Sequence, residues 1–241
     1  ADGAIVWYCL PNYAAKPVFG AVLDAARGGF WRMGPSPSGR GTQRYEQDSM
    51  TLVTSWELPG GTLELTDTMA WPWDDRGATE GGLSGHVILR RLRCTRGSVH
   101  VAIDYRPRDD FDRPDQLQRA AGVTTFIAGR NLTLWTSHDV QMSPDGVSIQ
   151  TSLAAGQDIW SALSWGEEIQ QPWNATRAEA EMAAATTYWQ DWVDSLPRPA
   201  ADLHKHRCHA LILKLQTYAP TGSPVAAPTS SLPERLGGDR N

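Results

Sequence analysis

The sequence predicts a mainly β protein, an antiparallel sandwich or barrel that is followed by helices. Short segments between Gly3 and Trp165 alternate apolar and polar residues with a period of two, which is typical of strands with one buried face. Turn signals such as Leu58-Pro59-Gly60-Gly61 and Ser143-Pro144-Asp145-Gly146 separate these segments. Many short strands at such spacing indicate a sandwich or a barrel. After Pro172 the apolar residues recur at helical spacing instead.

The predicted strands follow one another closely along the chain. They cover residues 3–9, 50–56, 63–69, 86–94, 99–105, 132–136, 147–153 and 159–165. The turn signal at 58–61 predicts a hairpin, with Leu63, Leu65 and Met69 facing the core. Arg96-Gly97 predicts a second turn, between the strands at 86–94 and 99–105.

Two helices are predicted after the strands. Asn174 is suited to cap the first, whose Ala- and Glu-rich body runs to about Asp194. The second spans residues 201–218 and carries an apolar stripe at helical spacing, formed by Cys208, Leu211, Ile212 and Leu215. The stripe needs a partner surface, and the loop-like residues 220–241 offer none. Because the chain also starts directly in strand-like sequence, we expect it to be part of a longer protein.

Composition and charge exclude several function classes. A chain of 241 residues with 41% hydrophobic content is long enough to bury one large core or two small ones. The formal net charge of −5 gives no basic footprint, so nucleic acid and anionic membrane are poor candidate partners and a small polar substrate fits better. The three widely spaced cysteines argue against a disulfide framework and favour a reducing, cytoplasmic compartment. Neither a membrane span nor a signal peptide is visible in the sequence.

The C-terminal stretch carries a specific motif. It reads Ala226-Ala227-Pro228-Thr229-Ser230-Ser231-Leu232-Pro233-Glu234, then Gly237-Gly238 and Arg240-Asn241. Together with residues 2–11, 188–192 and 207–215, this stretch resembles glycoside hydrolase family 15, the bacterial trehalase and glucoamylase-like group. The sequence departs from the family pattern at Val6, where Asp is usual, and at Asn12-Tyr13-Ala14-Ala15, where Arg-Phe-Asp-Ser is typical.

The resemblance implies a fold and a division into domains. Residues 1–171 are expected to form an antiparallel β-supersandwich, residues 172–199 a linker helix, and residues 200–241 the first helix and loop of a truncated (α/α)6 barrel. The parent protein is then an inverting α-glucoside hydrolase of the trehalase or glucoamylase type. The present chain is expected to be its non-catalytic N-terminal part, which supports the catalytic barrel and lends a loop to the rim of its active site. Glycoside hydrolysis needs two carboxyl groups, and the resemblance places both glutamates beyond Asn241. The chain alone is expected to be inactive, to need no cofactor, and to meet an α-glucoside only through the missing barrel.

Arg240 and Asn241 are the substrate-binding residues that the resemblance implies, because they open the motif that lines the sugar pocket. A guanidinium donates a planar fork of hydrogen bonds that suits sugar hydroxyls. The alternative is that Arg240 holds the loop at Gly237-Gly238 in place.

Two other clusters have the composition of chemical sites. Close carboxylates can chelate a hard cation, but the run Asp109, Asp110, Asp112 and Asp115 is interleaved with arginines, which favours a solvated loop with internal charge pairing. His204, His206, Cys208 and His209 resemble metal ligands, with His204 and Cys208 four residues apart on one helical face. That face is also the apolar stripe, so packing explains it more simply and no metal is predicted.

The eleven tryptophans leave a non-catalytic alternative open. Trp7, Trp56, Trp135 and Trp165 fall within predicted strands, where burial is the usual outcome. Trp71 and Trp73 fall in a predicted loop, where their rings are free to stack on sugars. The alternative function is therefore a carbohydrate-binding or purely structural sandwich module. The sequence separates neither trehalose from maltodextrin nor one oligomeric state from another.

Overall fold

The computed structural model of the protein describes residues 1–70, 86–114, 116–119, 123–127, 130–165, 172–197, 202–218 and 221–225. Within these residues the helices are α1 (Ala175–Asp194) and α2 (Leu203–Leu215). The strands are β1 (Ala4–Ile5), β2 (Tyr8–Cys9), β3 (Pro17–Phe19), β4 (Phe30–Pro35), β5 (Thr42–Tyr45), β6 (Leu52–Leu58), β7 (Gly61–Ala70), β8 (His86–Arg106), β9 (Gln116–Arg119), β10 (Val123–Ile127), β11 (Arg130–Thr136), β12 (Gln141–Ser143), β13 (Gly146–Ala154), β14 (Asp158–Trp165), β15 (Thr217–Tyr218) and β16 (Ser223–Pro224). The prediction of a mainly β fold is confirmed.

The strands form two antiparallel layers that share one long strand. The first layer has the order β5-β6-β7-β8-β14-β11-β10-β9 and uses the first half of β8. The second has the order β1-β4-β8-β13-β12 and uses residues from Ser98 to Arg106 of the same strand. Apolar side chains of both layers meet in one core that includes Trp31, Met33 and Leu65. The molecule is therefore an antiparallel sandwich whose layers are joined through β8.

The predicted turn at Arg96-Gly97 is wrong, because β8 runs straight through it. Gly97 has a positive φ of 73°, and the pairing of β7 with β8 slips by one residue beside it. The backbone oxygen of Gly60 would lie 2.1 Å from a Cβ added at Gly97. The glycine thus permits a bulge and a close backbone approach where the strand passes from one layer to the other.

The N-terminal strand is also shorter than predicted. Residues 3–9 divide into β1, which pairs with β4, and β2, which pairs with β3 in a separate small sheet. Trp7 lies between them and is half-buried, so its placement within a strand is wrong. The hairpin at Pro59-Gly60 is confirmed, since Leu58 pairs with Gly61. Met69, near the end of β7, is 47% exposed and not in the core as predicted.

A buried arginine connects the two layers. Arg90 in β8 is 1% exposed and donates to both carboxylate oxygens of Asp67 at 2.8 and 3.1 Å. It also donates to the carbonyl of Trp31 at 2.7 Å and to that of Gly3 at 2.8 Å. Its guanidinium lies 4.9 Å from the centre of the Trp31 ring. The charge is therefore both paired and hydrogen-bonded, which burial requires.

Helix α1 covers the outer face of the first layer. As predicted, Asn174 caps it, accepting a hydrogen bond from the Arg177 backbone N–H at 2.9 Å. Ala178 and Met182 pack against Leu89 and Trp160 of the layer. This cover explains why β-strand residues on both faces are buried at this end of the sheet.

Helix α2 is shorter than predicted, and its apolar stripe is only partly covered. Leu211 is 5% exposed, whereas Ile212 and Leu215 are 49% and 50% exposed. Two further residues, Leu203 and Leu213, are 40% and 61% exposed. Neither helix of the described residues is long and apolar enough to cross a membrane.

Candidate functional site

The predicted substrate-binding residues, Arg240 and Asn241, lie outside the described residues. The same holds for Trp71 and Trp73 and for Asp115 of the acidic run. Their proposed roles therefore stay predictions.

The structure places one N-terminal loop beside the segment that leads toward Arg240. After α2 the chain forms a short hairpin, in which Tyr218 of β15 pairs with Ser223 of β16. The ring of Tyr13 meets that of Tyr218 edge-on, with the ring centres 5.4 Å apart. Asn12 supports this loop by accepting the backbone N–H of Ala14 at 3.0 Å. The loop in which the sequence departs from the family pattern thus contacts the hairpin after α2.

Two described carboxylates of the acidic run form ion pairs with other loops. Asp110 pairs with Lys16 at 3.0 Å, and Asp112 pairs with Arg27 at 3.5 Å. These carboxylates are solvated, since the side chains of Asp110 and Asp112 are 45% and 81% exposed. The backbone of this loop turns sharply, with positive φ at Asp110 and Phe111.

The arginines of the run instead converge on Asp145, which the sequence did not single out. Arg108 donates to an Asp145 carboxylate oxygen at 2.9 Å, and Arg106 and Arg113 lie within 3.7 and 3.5 Å of the same carboxylate. Arg108 is buried and also donates to the Arg27 carbonyl at 3.0 Å. These contacts join the end of β8 and the loop after it to the turn between β12 and β13 and to the Arg27 carbonyl.

In the histidine and cysteine cluster, His204 and Cys208 contact each other. Nε2 of His204 lies 3.7 Å from Sγ of Cys208, as their spacing on a helical face predicts. His204 and His209 are exposed and Cys208 is half-buried. In the part of the chain that the structure describes, no three His, Cys, Asp or Glu side chains come together to hold a metal ion.

Asp202 at the start of α2 and Tyr8 in the small sheet both have shifted pKa values. The side chain and backbone N–H of Lys205 hydrogen-bond Asp202 and lower the pKa of this helix-capping carboxyl. Burial raises the pKa of Tyr8 well above its usual range, with a further contribution from Cys9. Both groups take part in local structure, at the start of α2 and in the small sheet of β2 and β3.

Of the tryptophans predicted to be buried in strands, Trp56 is fully enclosed. It is 2% exposed, and its indole N–H donates to the Gly39 carbonyl at 3.0 Å. Trp135 and Trp165 lie in strands as predicted but are half-buried.

Comparison with known proteins gives consistent matches over the chain. The trehalase-like N-terminal family matches residues 1–134. A trehalase from Mycolicibacterium smegmatis is 32% identical over 99% of this chain, and one from Mycobacterium tuberculosis is 31% identical over 99%. A trehalase from Thermoplasma acidophilum is 26% identical over 100% of the chain. The chain spans 39%, 38% and 41% of these three proteins, or about two fifths of their length.

Proposed function

The chain belongs to the trehalase-like N-terminal family, and from that premise we propose that it is the non-catalytic N-terminal part of an inverting α-glucoside hydrolase. A trehalase is the better supported parent, because the relatives named above carry that name, and a glucoamylase-type enzyme is the other member of the group that the C-terminal motif resembles. The odd number of separated cysteines favours a cytoplasmic setting.

The observation that carries the proposal is the coverage. The similarity includes 99% of this chain but only 39% of the trehalase from Mycolicibacterium smegmatis. The motif ending in Arg240-Asn241 closes the chain. A hydrolase of this kind needs one carboxylic acid to protonate the leaving oxygen and one carboxylate to activate water. We propose that both follow Asn241, so that this chain hydrolyses nothing alone.

The ion pairs of three described carboxylates agree with a non-catalytic role for this chain. Asp67, Asp104 and Asp145 are each held by arginines that belong to another strand or loop. A carboxylate that is held by an arginine in this way is poorly suited to act as a general acid or a general base. We propose that the two carboxyl groups that hydrolysis needs lie in the rest of the parent protein.

The proposed role of the sandwich is to carry the first helix of a catalytic barrel. Helix α2 lies against α1 through Leu211 and presents Ile212, Leu213 and Leu215 outward. An exposed row of large apolar side chains is unusual on a surface that contacts only water. The remaining barrel helices are its natural cover, and Arg240 and Asn241 then contribute to the sugar pocket.

The test compares two purified proteins, the 241-residue chain and the complete protein encoded by the natural gene. Glucose release from trehalose and from maltose is measured for both. We expect activity from the complete protein alone, with trehalose the better substrate. In the complete protein, Arg240→Met is expected to raise KM by about tenfold or more, because a bidentate hydrogen bond to substrate is lost.

Three results would contradict the proposal. Glucose release by the 241-residue chain would place catalytic groups within it. A natural gene with a stop codon directly after Asn241 would show that no catalytic barrel follows this chain. Saturable trehalose binding by the chain itself, lost in Trp73→Ala, would favour the carbohydrate-binding alternative.

A further inference from the structure

The turn between β5 and β6, residues 46–51, contacts both helices. The side-chain amide of Gln190 in α1 donates to the Gln47 carbonyl at 3.2 Å. The hydroxyls of Thr51 and Thr186 are hydrogen-bonded at 2.9 Å, in an environment where Thr51 is 1% exposed. The sandwich therefore holds α1 through this turn as well as through the sheet face.

The β5–β6 turn is internally well ordered. The backbone N–H of Glu46 donates to the Thr51 carbonyl at 2.9 Å, and that of Ser49 donates to the Glu46 carbonyl at 3.2 Å. The Ser49 hydroxyl accepts the Thr51 N–H at 3.1 Å. Asp48, at the tip, has a positive φ of 55°, a conformation that aspartate tolerates better than most residues. The turn thus presents the Asp48 carboxylate in a fixed direction.

Arg207 of α2 joins this turn to the end of α1. One of its terminal nitrogens donates to the Asp48 carboxylate, and the other donates to Asp194 at 2.6 Å. The Arg207 and Asp48 side chains are only 16% and 13% exposed, whereas that of Asp194 is 60% exposed. The two carboxylates, with Asp48 contributing most, raise the pKa of Arg207, so its guanidinium stays charged.

The apolar part of the same contact is small. Leu211 is the buried residue of α2, and it packs against Trp189 and Val193 of α1. Lys214 adds a cation–π contact, with Nζ 4.9 Å from the centre of the Trp192 ring. One leucine cannot fix the direction of a helix, because a helix can pivot about a single apolar contact. A guanidinium fork that engages two carboxylates on different elements does fix it.

We infer that Arg207 is a positioning residue, which fixes the direction of α2 on the sandwich through Asp48 and Asp194. The effect of Arg207 on substrate binding rests on the proposed function. Because the segment carrying Arg240 and Asn241 follows α2 in the chain, a displaced α2 misplaces the residues that we propose to line the sugar pocket.

The first experiment needs no substrate and uses the 241-residue chain. Amide hydrogen exchange is compared in Arg207→Met, Asp48→Asn and the double variant, with Lys205→Met as the control. Lys205 is on the same helix, and its ion pair with Asp202 is exposed. In Arg207→Met and in Asp48→Asn we expect α2 amides to exchange about tenfold faster or more, while β7 and β8 stay as in the wild type. The double variant should exchange like Arg207→Met, since Arg207→Met already removes the contact with Asp48.

The inference is overturned if α2 in Arg207→Met exchanges like α2 in Lys205→Met. It is also overturned if Arg207→Lys behaves as wild type, because lysine keeps the charge but lacks the fork; we expect intermediate protection instead. Should Arg207→Met fail to fold, Asp194→Asn removes one exposed carboxylate only and carries the same readout.

The second experiment uses the complete protein. At equal folded concentration, Arg207→Met is expected to raise KM for trehalose several-fold with a smaller change in kcat, while Lys205→Met leaves both unchanged. Unchanged kinetics per folded molecule would reduce Arg207 to a stabilising residue and overturn the positioning role. An inactive wild-type complete protein would contradict the proposed function, while the exchange result would still decide the role of Arg207 in holding α2.

Discussion

At the scale of single residues, the sandwich depends on a charge buried in its centre. Arg90 satisfies two carbonyls and one carboxylate while it packs on the Trp31 ring. The carbonyls belong to Trp31 in the second layer and to Gly3, so this side chain fixes how the layers face each other. Exposed pairs such as Arg119 with Asp139 lack this role, since their side chains are 56% and 97% exposed.

Arg90→Met is predicted to destabilise the protein by about 3–5 kcal/mol, because it leaves the Asp67 carboxylate without its arginine and removes one hydrogen bond from each of two carbonyls, those of Trp31 and Gly3. Arg119→Met, the control, should change the free energy of unfolding by no more than about 1 kcal/mol. Urea unfolding followed by circular dichroism measures both. A loss in Arg90→Met no larger than that of the control would show that the buried pair does not hold the layers. Adding Asp67→Leu to Arg90→Met should restore part of the loss, because an apolar pair needs no partner.

Buried arginines whose partners are distant in the sequence could not be predicted from the sequence. Arg240 and Asn241 were predicted as substrate-binding residues from a contiguous motif, and that prediction stays untested. The contact of Arg207 with Asp48 joins residues 159 positions apart, and no local pattern marks it. Arg90 likewise follows Val87, Ile88 and Leu89 as an apparent end to an apolar run. Its burial depends on Asp67 and on two backbone carbonyls, which only the folded chain brings together.

At the scale of elements, β8 determines the architecture. The alternation of its apolar residues was readable on both sides of Gly97, and so were the strands that became β7, β13 and β14. The glycine itself was ambiguous, because a glycine between two strand patterns indicates either a turn or a bulge. Which one forms depends on whether the two halves pair with each other or with different strands. Here β7 and β14 take the first half and β4 and β13 the second.

Gly97→Ala is predicted to destabilise the protein by more than about 2 kcal/mol, because the new Cβ would meet the Gly60 backbone oxygen and the left-handed backbone is strained. Gly156→Ala is a matched control, since Gly156 also has a positive φ, of 87°, but faces open space. It should cost about 1 kcal/mol from the backbone alone. The difference between the two melting temperatures isolates the close approach at the bulge. Equal losses would mean that β8 and the β6–β7 hairpin can separate without penalty.

At the scale of the whole molecule, the described chain is a sandwich with a well-packed core and a helix that is packed on one side. Helix α1 buries residues along its whole length, against the first layer at Ala178 and Met182 and against α2 at Trp189 and Val193. Helix α2 buries Leu211 alone. The sequence predicted both helices and the need for a partner surface. It did not predict that α2 would be held by a polar contact, because that contact comes from a turn far away in the sequence.

If α2 is a barrel helix, the same substitutions on its exposed face should have different effects in the 241-residue chain and in the complete protein. In the 241-residue chain, the double change Ile212→Ser and Leu215→Ser should leave the melting temperature nearly unchanged, since both side chains are already about half exposed. In the complete protein that we propose, the same atoms are covered by neighbouring helices, so their loss should cost about 2–4 kcal/mol. Val22→Ser is the control, because Val22 is 53% exposed on a sandwich loop and should be neutral in both proteins. Equal neutrality of the α2 variant in both contexts would show that this face stays in water, and the sandwich would then not carry a barrel through α2.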